Sequence, residues 1–86
     1  MVWKIDVTRE AERGLARIDR NDAKRIIAYL RERVAMNPRQ YGKALHGNHS
    51  ALWRYRVGDY PVLCDINDEA VCVLVIRVAH RKEVYR

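Results

Sequence analysis

The stretch Leu52-Trp53-Arg54-Tyr55-Arg56-Val57-Gly58-Asp59-Tyr60-Pro61-Val62-Leu63-Cys64-Asp65-Ile66 decides the fold. Two runs rich in β-branched and aromatic residues flank Gly58-Asp59, the composition of a two-residue hairpin loop. With that loop, Val57 faces Tyr60, Arg56 faces Pro61, Tyr55 faces Val62 and Arg54 faces Leu63. Strand alternation then puts Trp53, Tyr55, Val57, Tyr60, Val62, Cys64 and Ile66 on one face, which is assigned to the core. Arg54 and Arg56 share the other face, roughly 7 Å apart by strand rise. That separation resembles the spacing of neighbouring phosphates on one nucleic-acid strand, although alternating arginines also occur on ordinary solvated sheet faces. The Arg56 and Pro61 pair is non-hydrogen-bonded in this register, so the N–H that Pro61 lacks faces away from the first strand.

Working outward, Ala70 to Ala79 reads as a third strand after a turn around Asn67-Asp68, and links this short make the three strands antiparallel. Upstream, Val2 to Val7 alternates as a strand and Thr8 is an N-cap. Ala11, Leu15 and Ile18 then recur at helical spacing. Asp19-Arg20-Asn21-Asp22 interrupts the pattern, with either aspartate or Asn21 able to cap a second helix carrying Ile26, Ile27, Leu30 and Val34 on its buried stripe. Asn37-Pro38 ends that helix, and Tyr41 to Ser50 reads as a loop. The order is β-α-α-β-β-β: one α+β domain spanning residues 1–86, an antiparallel sheet with an N-terminal helical hairpin on one face.

Eighty-six residues, 49% of them hydrophobic, support one core and no second domain. The formal net charge is +6, and thirteen of the seventeen basic residues are Arg. Guanidinium forks match phosphate bidentately, so the surplus suggests a polyanionic partner such as nucleic acid; an ordinary basic surface accounts for it equally well. Cys64 and Cys72 lie in apolar runs and read as reduced core residues. No signal peptide or membrane-length segment is present, so a soluble, cytoplasmic protein is expected.

The chain finishes on Ala79-His80-Arg81-Lys82-Glu83-Val84-Tyr85-Arg86, a polar tail directly behind an apolar strand. If it folds back over the open face, His80, Arg81 and Tyr85 would surround a phosphodiester: a guanidinium stabilises charge developing on phosphorus, and an imidazole or phenol moves protons. Taken singly, each of the three is more ordinary as a surface or terminal residue. No clustered carboxylates or zinc spacing point to a metal, and no cofactor is expected.

The chain resembles the RelE/ParE superfamily of toxins. The resemblance rests on Trp3-Lys4-Ile5, on Lys43-Ala44-Leu45 followed by Gly47, on Leu52-Trp53-Arg54-Tyr55-Arg56-Val57-Gly58-Asp59-Tyr60, and on Val78-Ala79-His80-Arg81-Lys82-Glu83-Val84-Tyr85. The last block is similar to the RelE branch more than to the gyrase-poisoning ParE branch. What the resemblance implies is a metal-free endoribonuclease that cuts messenger RNA in the ribosomal A site through attack of the ribose 2′-hydroxyl. By the same resemblance Arg54 and Arg56 bind substrate and stabilise the transition state, and Arg81 stabilises or protonates the leaving oxygen. Tyr85 orients or deprotonates the nucleophile, with His80 as reserve base. Lys43, Arg77 and Lys82 join Arg54 and Arg56 as the expected RNA-binding set. An acidic, RelB-like antitoxin is the implied partner, in a toxin–antitoxin hetero-oligomer, beside ribosome and messenger. The chain departs from the family at Pro61, where relatives often carry an arginine, so a weakened nuclease is expected. A topoisomerase-inhibiting toxin and a catalytically degenerate nucleic-acid-binding module are the alternatives.

Overall fold

The structure, a computed structural model, describes residues 2–45 and 52–79. Strand β1 (Lys4–Val7) leads into helix α1 (Arg9–Arg17) and helix α2 (Arg20–Tyr29), and β2 (Lys43–Ala44), β3 (Leu52–Val57), β4 (Tyr60–Asn67) and β5 (Cys72–Val78) follow. The strands form one sheet in the order β1-β5-β4-β3-β2. The β3–β4–β5 meander is antiparallel as the sequence predicts. Two expectations are corrected. β1 pairs with β5 in parallel, making the sheet mixed; the helical pair carries the chain from the β1 edge across to the β2 edge, and β3, β4 and β5 then return it to lie beside β1. Within the expected Tyr41 to Ser50 loop, Lys43 and Ala44 form a short antiparallel edge opposite Arg54 and Trp53.

The core lies between the sheet and the helices: Ala11, Ile26, Leu30 and Val34 meet Tyr55, Val62, Cys64, Ile66, Val73, Val75 and Val78, all buried. Ile27 is the exception on the expected stripe and is 38% exposed. At 100° per residue the row at 26, 30 and 34 faces the sheet, and Ile27 sits beside it on the flank. Beyond α2 the helix widens for Leu30–Val34, with the Ala35 N–H donating to the Leu30 carbonyl five residues back. Asn37-Pro38 stops it as expected. The Tyr55 hydroxyl donates to the Pro38 carbonyl at 2.7 Å, so the buried phenol is satisfied, and burial holds its pKa well above the ordinary value. Burial likewise pushes the Cys64 thiol up to about 12, which makes it an inert core filler.

Thr8 caps α1 as expected, its hydroxyl accepting from the Ala11 N–H at 3.1 Å, and Asp19 caps α2 through the Asn21 N–H. One turn into α1, Gly14 presses on β5. A β-carbon there would stand 2.4 Å from the Val78 carbonyl oxygen. Backbone blocks it, so Gly14→Ala is expected to push α1 off the sheet at a cost of about 1–3 kcal/mol. That corresponds to a drop in melting temperature of about 4 °C or more in a domain of this size, measurable by calorimetry; an unchanged or raised transition would contradict the close packing.

Candidate functional site

The face of the sheet turned away from the core carries the candidate site. Lys43 stands opposite Arg54, Arg54 opposite Leu63, and Leu63 opposite Arg77. Directly opposed residues in antiparallel strands share a face, so Lys43, Arg54 and Arg77 form a row perpendicular to the strands, spanning about 14 Å over three strand spacings. All three are exposed. Arg56 lies two residues along β3 from Arg54, its Nε donating to the Gly58 carbonyl at 3.3 Å, which leans the side chain toward the hairpin loop. The Arg54 side chain has no hydrogen bond or ion pair among the described residues.

Arg77 reaches this row only because β5 is irregular. Val75 pairs with Cys64 and Arg77 with Leu63, so Ile76 is an extra residue between them. Unbroken alternation from Val73 and Val75 would drive position 77 into the core and expose position 78. The bulge shifts the phase by one, burying Val78 and turning Arg77 outward. Lys43 arrives by a different device. Gly42 adopts φ +71° with its α-carbon tight against β3: a β-carbon there would meet the Arg54 carbonyl oxygen at 2.5 Å. That left-handed turn, which glycine takes without a side-chain penalty, brings Lys43 alongside Arg54.

At the hairpin end of the same face the register is Arg56 opposite Pro61, and the Pro61 carbonyl accepts from the Ala79 N–H at 3.1 Å. Regular β4–β5 pairing stops at Val62 and Val78. The proline therefore sits at the end of that ladder, where its missing N–H costs one terminal bond. Ala79, the last described residue, is two strand spacings from Arg56, with Pro61 between them. His80, Arg81, Lys82 and Tyr85 lie outside the described residues.

The sequence profile of the family described as ParE toxin of type II toxin-antitoxin system, parDE, matches residues 5–85. The chain belongs to the RelE/ParE superfamily. The toxin RelE of Mycobacterium tuberculosis is 30% identical over 84 residues, which covers 98% of this chain and 87% of the relative. Toxin RelG of the same organism is 27% identical over 86 residues, covering 100% and 99%. The crystal structure of the toxin–antitoxin complex RelBE2 from M. tuberculosis contains a chain that superposes with a TM-score of 0.87 at 25% identity, over 94% of this chain and all of that one.

Within this RelE-type domain, sequence reasoning missed two features near the site. Arg13 and Arg17, one turn apart on α1, line a cleft beside Arg77. Their signal was the i, i+4 spacing of two cations on the flank of an amphipathic helix. The bulge at Ile76 also went unread. Its signal was the pair Arg77-Val78, in which strict alternation would have buried the guanidinium.

Proposed function

We propose that the protein is a ribosome-dependent endoribonuclease toxin that cuts messenger RNA in the A site without a metal ion. The observation that carries this reading is the cation row with Arg56 beside it, on one exposed face, at the sheet end where the chain runs on from Ala79 into its tail. In the reaction the 2′-oxygen bonds to phosphorus, its proton passes to the base, and the bond from phosphorus to the 5′-oxygen breaks with protonation of that oxygen. The products are a 2′,3′-cyclic phosphate and a free 5′-hydroxyl. Arg54 and Arg56 hold the phosphate and neutralise charge growing on its oxygens. Arg81 stabilises or protonates the leaving oxygen, Tyr85 takes or orients the nucleophile's proton with His80 in reserve, and Lys43, Arg77 and Lys82 grip the flanking backbone. The ribosome supplies much of the alignment, which suits a small domain.

Incubating the purified protein with ribosomes carrying an end-labelled messenger tests the reading. Cuts confined to the A-site codon, with cyclic-phosphate ends, are the expected outcome. The family profile is described by ParE, which favours one second reading: a toxin that inhibits a topoisomerase. Uncut messenger with blocked DNA supercoiling would establish that alternative, and inactivity in both assays would indicate a degenerate binding module.

The toxin works with an acidic antitoxin in a hetero-oligomer. Support comes from the RelBE2 structure, which is a toxin–antitoxin complex, and from the net charge of +6, which favours fast encounter with an acidic chain. Co-expression with the adjacent gene is expected to yield a co-purifying complex and to relieve growth arrest. A toxin that purifies alone, with growth unaffected either way, would contradict the pairing.

A further inference from the structure

β1 ends at Val7, so beyond Val75 the outer edge of β5 is flanked by α1 instead of a strand. Thr8 makes the junction. Its N–H donates to the Val75 carbonyl at 2.9 Å, and its hydroxyl donates to the Ile76 carbonyl at 2.6 Å while accepting from the Ala11 N–H. One side chain thus caps the helix and satisfies the carbonyl of the bulged residue. Between α1 and this edge lies a cleft of about 660 Å³ lined by Arg13, Arg17 and Arg77, with Glu10, Asp19 and Tyr60 on its walls.

The charges in the cleft are unequal. The Asp19 carboxylate is engaged as the α2 cap, and the Tyr60 hydroxyl donates to Asp22 at 2.7 Å. Glu10 comes within 3.9 Å of the Arg77 Nε, but both side chains are more than half exposed, and such a pair contributes little. Three guanidiniums against two carboxylates leave an anion site with planar, bidentate donors. Arg77 belongs both to the cleft and to the row that includes Lys43 and Arg54, so an RNA strand crossing the sheet leads into it.

We propose that this cleft is a second phosphate subsite for the RNA backbone, with Arg13, Arg17 and Arg77 as its donors and Thr8 as the residue that positions Arg77 by locking the bulge. The proposal rests on RNA being the substrate. It is tested by fluorescence anisotropy with a labelled, uncleavable 2′-O-methyl RNA dodecamer, titrated against the full-length protein at several salt concentrations. Each lost phosphate contact on a single strand lowers the slope of log K against log salt by about 0.7. Arg13→Ala/Arg17→Ala, which takes two of the three donors from that one phosphate, is therefore expected to lower it by up to about 0.7, whereas Lys24→Ala/Arg31→Ala, an equal charge loss on exposed α2-side positions outside the cleft, leaves it unchanged. Thr8→Val is expected to weaken binding several-fold, and Thr8→Ser, which keeps the hydroxyl, to restore it. An unchanged slope in the Arg13 and Arg17 variant, or an equal fall in the control pair, overturns the subsite even if Thr8→Val fails to fold. Cleavage of ribosome-held messenger by the parent, measured alongside, reports separately on the cleavage reading: uncut messenger with a reduced slope in the cleft variant would sink that reading and leave the subsite standing as an RNA-backbone contact.

Discussion

An Arg81→Ala/Tyr85→Ala variant is expected to cut messenger on programmed ribosomes at least ~10³-fold more slowly than the parent, in single-turnover assays. The two side chains carry the proton transfers and part of the charge stabilisation in the proposed reaction. General acid–base groups contribute about 10²–10⁴ in rate, and a preorganised donor to a developing oxyanion about 10²–10³. The effects overlap because both residues serve one transition state, so the product of the two is an upper bound. Tyrosine's ordinary pKa of about 10 leaves few phenolates at neutral pH, and nearby cations favour the ionised form. The rate of Arg81→Ala alone is accordingly expected to need a higher pH to reach its plateau. Unfolding free energy is expected to move by no more than about 0.5 kcal/mol, the usual range for substitutions away from a core. Near-parental cleavage in the double variant would remove the tail from the mechanism.

Pro61→Arg is expected to raise the rate of cleavage by about 10- to 150-fold. The register puts position 61 directly across from Arg56 on the exposed face, where a guanidinium would add one charge-assisted contact to the scissile phosphate. Such contacts contribute about 1.5–3 kcal/mol, and each 1.36 kcal/mol is tenfold in rate. The backbone is compatible with the change. Because the Pro61 carbonyl already accepts from the Ala79 N–H, a new N–H at 61 would face Ala79 and complete that hydrogen-bonded pair. Opposing this, two like charges directly across a non-hydrogen-bonded pair repel, at up to about 1 kcal/mol. The variant should therefore be faster, and no more than slightly less stable, with its deficit shrinking at high salt. A rate equal to or below that of the parent would show that the proline is not what limits cleavage.

The hairpin register was legible residue by residue, because Gly58-Asp59 leaves one way to pair the flanking runs and the opposite phase would bury Arg54 and Arg56. The Thr8 cap was equally readable, since capping is a local interaction within one turn. Features that depended on a distant partner were not. The parallel placement of β1 follows from how the helical pair crosses the sheet, and the two-residue β2 exists because Gly42 can lie against Arg54. The phase slip at Ile76 is stabilised by a hydroxyl 68 positions away. For the site, Lys43, Arg54, Arg56 and Arg77 were named in sequence and share one face; Arg13 and Arg17 were passed over because a flanking pair of cations on a helix usually reads as solvated surface. His80, Arg81, Lys82 and Tyr85 rest on the sequence resemblance.

The central claim is that fixed positive charge on this one sheet face and in the tail acts on a single RNA phosphate. Mapping messenger ends in cells after induction, with the parent protein and with Arg54→Ala/Arg56→Ala side by side, tests it most directly. The account predicts new 5′-hydroxyl ends within codons for the parent and their loss in the variant. Parental-level cutting by the variant, or arrested growth with every message intact, would contradict it.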